Sequence, residues 1–176
     1  RDLCRNGGIA RIIVDTQTNA LTQPGISLSI QGTSREAEKI RNLIYDVFES
    51  TDLDFQNMAS PQSLFSQVVE ETIIAGGCIA LRVWDKTSRL SFRVKLLEQK
   101  FIASHINKTN KDGGYIVHGI EYNSKDQITA YWFDMAAEND PLVTKRKSKR
   151  FPIKDVIHNF VPPRIGANRG LSWFSH

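Results

Sequence analysis

Gly76-Gly77 divides this chain into two hydrophobic patterns. Ahead of the pair, Leu64, Phe65, Val68, Val69, Thr72 and Ile73 recur at the three- and four-residue spacing of one helical face. Behind it, Cys78 to Trp84 is apolar and β-branched enough for a buried strand. Paired glycines suit such a point, because glycine takes the left-handed helix cap at little cost. Helices thus gather early in the chain and strands late. Elements segregated in this way predict an α+β fold rather than alternating βα units.

Three early helices are predicted. Asn6 can cap the first, which runs to about Leu21 with Ile9, Ile12, Ile13 and Thr16 on or near one face. Pro24-Gly25 ends it. The second follows Thr33-Ser34-Arg35-Glu36, a capping-box pattern. Its stripe of Ala37, Ile40, Leu43, Ile44, Val47 and Phe48 is the cleanest in the chain and predicts a helix packed into the core. Ser60-Pro61 opens the third, with a cap and then proline at the first helical position. Between the first two, Ile26, Leu28 and Ile30 alternate with Ser27, Ser29 and Gln31, which is the signature of a strand with one buried face.

The later strands form hairpins. Leu90 to Leu97 returns from a turn at Lys86-Thr87-Ser88-Arg89 and pairs with the Cys78 strand. Tyr115 to Tyr122 is predicted as one strand, Asn123 to Asp126 as a turn and Ile128 to Phe133 as the return. Pro152 to Asp155 is a turn before a strand over Val156 to Val161, which Pro162-Pro163 ends. The expected architecture is a single domain over residues 1–176, with helices packed on one face of a mainly antiparallel sheet. Leu171-Ser172-Trp173-Phe174 looks like the opening of a further helix, so the chain is expected to be a piece of a longer protein.

Composition narrows the function. With 40% hydrophobic and 24% charged residues the chain is that of an ordinary globular domain. No apolar run approaches the ~20 residues of a membrane span. Two cysteines, Cys4 and Cys78, are too few for a disulfide framework and are expected to be reduced and buried. Of the four histidines none has metal-ligand spacing; His118 and His158 are expected as satisfied, partly buried imidazoles within strands. Glu70-Glu71 point about 100° apart on a helix and are expected on a solvated face. Asp134, Asp140 and Asp155 fall in separate loops. There is no glycine-rich phosphate loop, nucleophile elbow or C-x-x-C pair. No catalytic residue, metal ligand or cofactor is assigned, and the chain is not expected to be an enzyme.

One charged feature stands apart. Lys145, Arg146, Lys147, Lys149 and Arg150 crowd a segment with no hydrophobic pattern, and they supply much of the net charge of +4. Such a run can neutralise nucleic acid phosphates. It can equally be a solvated loop held open by like charges, and no aromatic is interleaved to stack on a base. A nucleic-acid-binding module acting through this run is the alternative reading of the chain.

The segment Asp155-Val156-Ile157-His158, followed by Pro162-Pro163 and then Arg169-Gly170-Leu171-Ser172-Trp173, resembles the phage portal proteins of the lambda family. Asp2-Leu3-Cys4-Arg5-Asn6 with Gly25-Ile26, and Gly119-Ile120-Glu121-Tyr122 with Ala130-Tyr131, resemble other parts of that family in the right order. Gly7-Gly8, Gln99 and Gln127 depart from its usual residues, the last two at positions where proline-containing segments are common. The resemblance implies the wing-like part of a phage or prophage portal subunit, with a stem and clip beyond residue 176. It implies a homo-oligomer, a dodecameric ring at one capsid vertex, through which double-stranded DNA is packaged and ejected. The implied partners are the terminase large subunit, head-completion proteins and scaffold; the implied locations are the virion and, during assembly, the host bacterial cytoplasm. Arg164, Arg169, Gly170 and Trp173 match the segment leading into the stem. Their expected roles are structural: glycine for a bend, tryptophan as an anchor, arginine pairing across a subunit boundary.

Overall fold

A computed structural model describes residues 2–110, 113–135 and 148–175. It contains helices α1 (Asp2–Asn6), α2 (Gly8–Thr22), α3 (Arg35–Phe48) and α4 (Pro61–Ala75). The strands are β1 (Gly77–Trp84), β2 (Phe92–Glu98), β3 (Lys108–Thr109), β4 (Tyr115–Val117), β5 (Ile120–Tyr122), β6 (Ile128–Asp134), β7 (Ser148–Pro152) and β8 (Val156–Phe160). The fold is α+β, as the segregated pattern predicts.

The strands make two antiparallel sheets rather than one. β2-β1-β8 is the smaller and β3-β4-β5-β6-β7 the larger. They share one core. Ile79 and Leu81 from β1, Val156 from β8, Ile120 from β5 and Tyr131 and Phe133 from β6 are buried together with Ile102. The division arises because β8, instead of extending the later hairpins, runs back beside β1 with Ile79 opposite His158.

Tyr115 to Tyr122 is two strands, not one. His118 (φ 48°) and Gly119 (φ 78°) form a tight turn between β4 and β5. Two successive positive φ values match the twist of a two-residue hairpin. His118 is therefore exposed in a turn, with Nδ1 3.2 Å from the Ser104 carbonyl, and not part-buried in a strand.

The helices do not all lie on a sheet. α4 packs beside β1 and carries α2 on its other side. A second buried cluster of Cys4, Ala10, Val14 and Ile73 joins α1, α2 and α4. α4 begins and ends where the pattern placed it: Ser60 Oγ accepts from the Ser63 N–H, and Gly76 takes the left-handed cap at φ 84°. α2 has Gly7 as its cap position and no side-chain cap, because Asn6 ends α1.

Four expectations fail at the surface. The buried face of α2 is Ala10, Val14, Thr18 and Thr22, and Ile12 is 65% exposed beside exposed Ile9 and Ile13. Small side chains let α2 approach α4, and the isoleucines turn outward. α3 buries only Val47 fully; Ile40, at 51% exposed, and Leu43 are uncovered. Ser34 caps α3 by accepting from Ala37 N–H at 3.1 Å, and since Ala37 stands three residues on, the reciprocal glutamate of a capping box has no place. Residues 25–33 join no ladder, so the predicted Ile26 strand is not formed.

Candidate functional site at the Gly170 junction

Three backbones converge where α4 gives way to β1. A Cβ on Gly76 would lie 2.5 Å from the Leu171 carbonyl carbon, and one on Gly170 would lie 1.8 Å from the Gly76 carbonyl oxygen. A Cβ on Gly77 would meet Gln99 Oε1 at 2.6 Å and the Asn159 carbonyl oxygen at 2.9 Å. No other residue fits any of these places. Gly170 serves close approach, and its φ lies outside the left-handed region.

Gln99 closes the junction. Its Nε2 donates to the Gly170 carbonyl at 3.3 Å, and its Oε1 accepts from the Gly170 N–H at 3.2 Å. This pairing fixes which amide atom is oxygen. His158 Nε2 lies 3.1 Å from the same Oε1, so Nε2 carries the hydrogen. Nδ1 is then left to accept from the Tyr131 hydroxyl, 3.4 Å away. The imidazole also lies against the Phe160 ring, with 4.4 Å between centroids. Burial, and then the nearby Arg169 charge, push its pKa down to about 4. It is a neutral, satisfied, part-buried histidine, as expected.

Arg169 reaches the other sheet. Its Nη2 donates to the His118 carbonyl at 2.8 Å, in the β4–β5 turn. Among the described residues no carboxylate pairs with it. Adjacent residues 169 and 170 thus tie the last segment to both sheets and to α4. Trp173 adds its backbone, donating to the Ile73 carbonyl at 3.1 Å, and its ring stays 50% exposed. Phe174 packs on the helical cluster instead. Residues 173–174 form a turn. Arg164 is exposed. Sequence reasoning missed Gln99 and Phe174. Gln99 was visible only as a departure from a resemblance.

The basic run is partly described. Lys145, Arg146 and Lys147 lie outside the described residues. Lys149 and Arg150 belong to β7 rather than to an unpatterned loop, because Ser148 to Pro152 pairs with β6. Lys149 Nζ stands 5.2 Å from the Phe151 ring centroid. Arg150 forks onto Glu121, with both hydrogen bonds at 2.8 Å. The Arg150 guanidinium, aided by Trp132 and Thr129, holds the Glu121 carboxyl below its usual range.

Among the described residues no group of His, Cys, Asp and Glu could hold a metal. Glu70 and Glu71 are half-buried, not fully solvated, and Glu70 pairs with Arg11 of α2 at 2.8 Å. Cys4 and Cys78 are free and buried, and burial pushes the Cys78 thiol up to about 12. No described helix is long and apolar enough to cross a membrane.

No curated protein matches the sequence. The family model for phage portal protein, lambda family, matches residues 1–176, the whole of the chain. With that match, the junction of Arg169, Gly170 and Trp173 and the strand of His158 fall within one continuous family pattern, and the chain belongs to the lambda family of phage portal proteins.

Proposed function

We propose that this chain is the wing-like part of a portal subunit that assembles into a dodecameric ring at one vertex of the capsid. Double-stranded DNA passes through the ring during packaging and ejection. The terminase large subunit, scaffold and head-completion proteins dock on the assembled ring, and the chain itself carries out no turnover. The match to the portal family over residues 1–176 carries this reading. The uncovered apolar faces of α2 and α3 support it, since surfaces of this kind mark sites of protein association. In this reading Arg169, Gly170 and Trp173 hold the segment that leads out of the domain, and Arg164, which is exposed, is free to reach a neighbour.

Electron microscopy of the purified intact protein tests the reading. Twelve-fold rings with an open axis are expected; particles that stay monomeric at high concentration would overturn it. The nucleic-acid module is the weaker alternative, because Arg150 is already bound to Glu121.

A further inference from the structure

Residues 26–31 have the side-chain alternation of a strand and no strand to pair with. The segment is nonetheless held in shape. Gly25 (φ 73°) and Gly32 (φ 132°) bound it. Ile26 N–H donates to Gln62 Oε1 at 3.2 Å, and Arg41 Nη2 donates to the Ile30 and Gly32 carbonyls, each at 3.2 Å. Leu28, at its centre, is 58% exposed. A segment already fixed at both ends loses little freedom on docking.

The two sheets have four edges. β3 has two residues. The edge of β2 is occupied, since Val94 N–H donates to the Leu53 carbonyl and Phe55 N–H to that of Val94. β7 carries Lys149, Arg150 and Pro152, and charge and proline are what blunt an edge. β8 has neither. Val156-Ile157-His158-Asn159-Phe160 is paired with β1 on one side, and among the described residues no backbone group bonds its other side. Its outward Ile157 is 70% exposed, and Val161 beyond it is exposed too.

We propose that residues 26–31 of one copy add as a strand to the open edge of β8 in a second copy. This rests on the reading of the chain as a ring subunit and names one contact in that ring. The two partners match in charge, since neither bears a charged side chain at neutral pH. They are similar in length, and each presents exposed apolar side chains, Ile26 and Leu28 on one and Ile157 on the other, that become cross-strand neighbours on one face. Within one copy the two are not paired. Gln62 holds the segment at the first turn of α4, whereas Asn159 of β8 bonds Thr72 near its last turn. Ten residues of helix put those points on the order of 15 Å apart. The two surfaces are different, so the contact is head-to-tail, the kind that generates closed rings or filaments.

The test uses two single-cysteine variants of the intact protein, Leu28→Cys and Ile157→Cys, with the native thiols buried. After mixing, assembly and treatment with a short bismaleimide, a covalent dimer is expected on a denaturing gel from the mixture. Neither variant alone should give one. The double variant should give a ladder. Rings visible by electron microscopy with no cross-link in the mixture would overturn the strand addition and leave the ring reading intact. Absence of any ring would overturn both. Dimers from Leu28→Cys alone would show a symmetric contact and overturn the proposal.

Discussion

The side-chain amide of Gln99 pairs with the backbone of Gly170 as a neighbouring strand would, donating to its carbonyl at 3.3 Å and accepting from its N–H at 3.2 Å. Gln99→Ala removes both bonds and the acceptor of His158 Nε2–H. Gly170 is buried, so its polar groups would be left without partners. Unsatisfied buried groups of this kind cost about 1–3 kcal/mol each. A loss of about 2–4 kcal/mol in stability is expected, measured by urea denaturation at neutral pH.

Gly170→Ala is expected to be worse. The added carbon would sit 1.8 Å from the Gly76 carbonyl oxygen, with backbone on both sides of the clash. A loss beyond about 4 kcal/mol, or failure to fold, is expected. Gly166→Ala provides the contrast. Nothing lies within 4 Å of that site, and only its φ of 80° opposes a side chain. It should cost about 1–2 kcal/mol. Thermal unfolding of the two variants side by side measures the difference.

His158 predicts a pH dependence. Its folded pKa of about 4 lies below the ordinary value of 6.5. Above pH 6.5 both folded and unfolded chains are neutral at this group, and it contributes no slope. As pH falls from 6.5 towards 4, the unfolded chain takes up the proton first, so stability falls across that window. Below 4 the loss is complete, on the order of 3 kcal/mol. Urea midpoints between pH 7.5 and 4 should fall more steeply for the native protein than for His158→Gln.

Arg150→Gln separates structure from nucleic acid binding. Glu121 is nearly buried, and its partners are Arg150, Trp132 and Thr129. Losing the charged hydrogen bonds should cost about 1.5–3 kcal/mol. Retention of the isolated chain on DNA should not change with this substitution at any salt concentration. A gel-shift series in salt, run beside a denaturation curve, gives both readings.

Local rules carried much of this fold. α4 was legible because Ser60-Pro61 and Gly76 punctuate it with side-chain and backbone chemistry, and β1 and β8 because their apolar runs are short and bounded. α2 misled for a physical reason. Hydropathy finds the greasiest face, but Ala10, Val14 and Thr18 are the face small enough to meet α4. The β4–β5 turn hid because His118, a residue with a side chain, takes a positive φ. Gln99 could not be assigned a role, since its partner lies 71 residues away and is backbone. Arg169 and Gly170 were singled out through a family pattern; their contacts with His118 and Gly76 have no local signature.

The outward isoleucines of α2 bear on how the lone polypeptide behaves as a colloid. Salts excluded from protein surfaces, such as sulfate, raise the cost of wetting Ile9, Ile12 and Ile13 without disturbing the interior beneath them. Precipitation or clustering in such salts would then be the work of a few side chains on one helix in molecules that remain fully native.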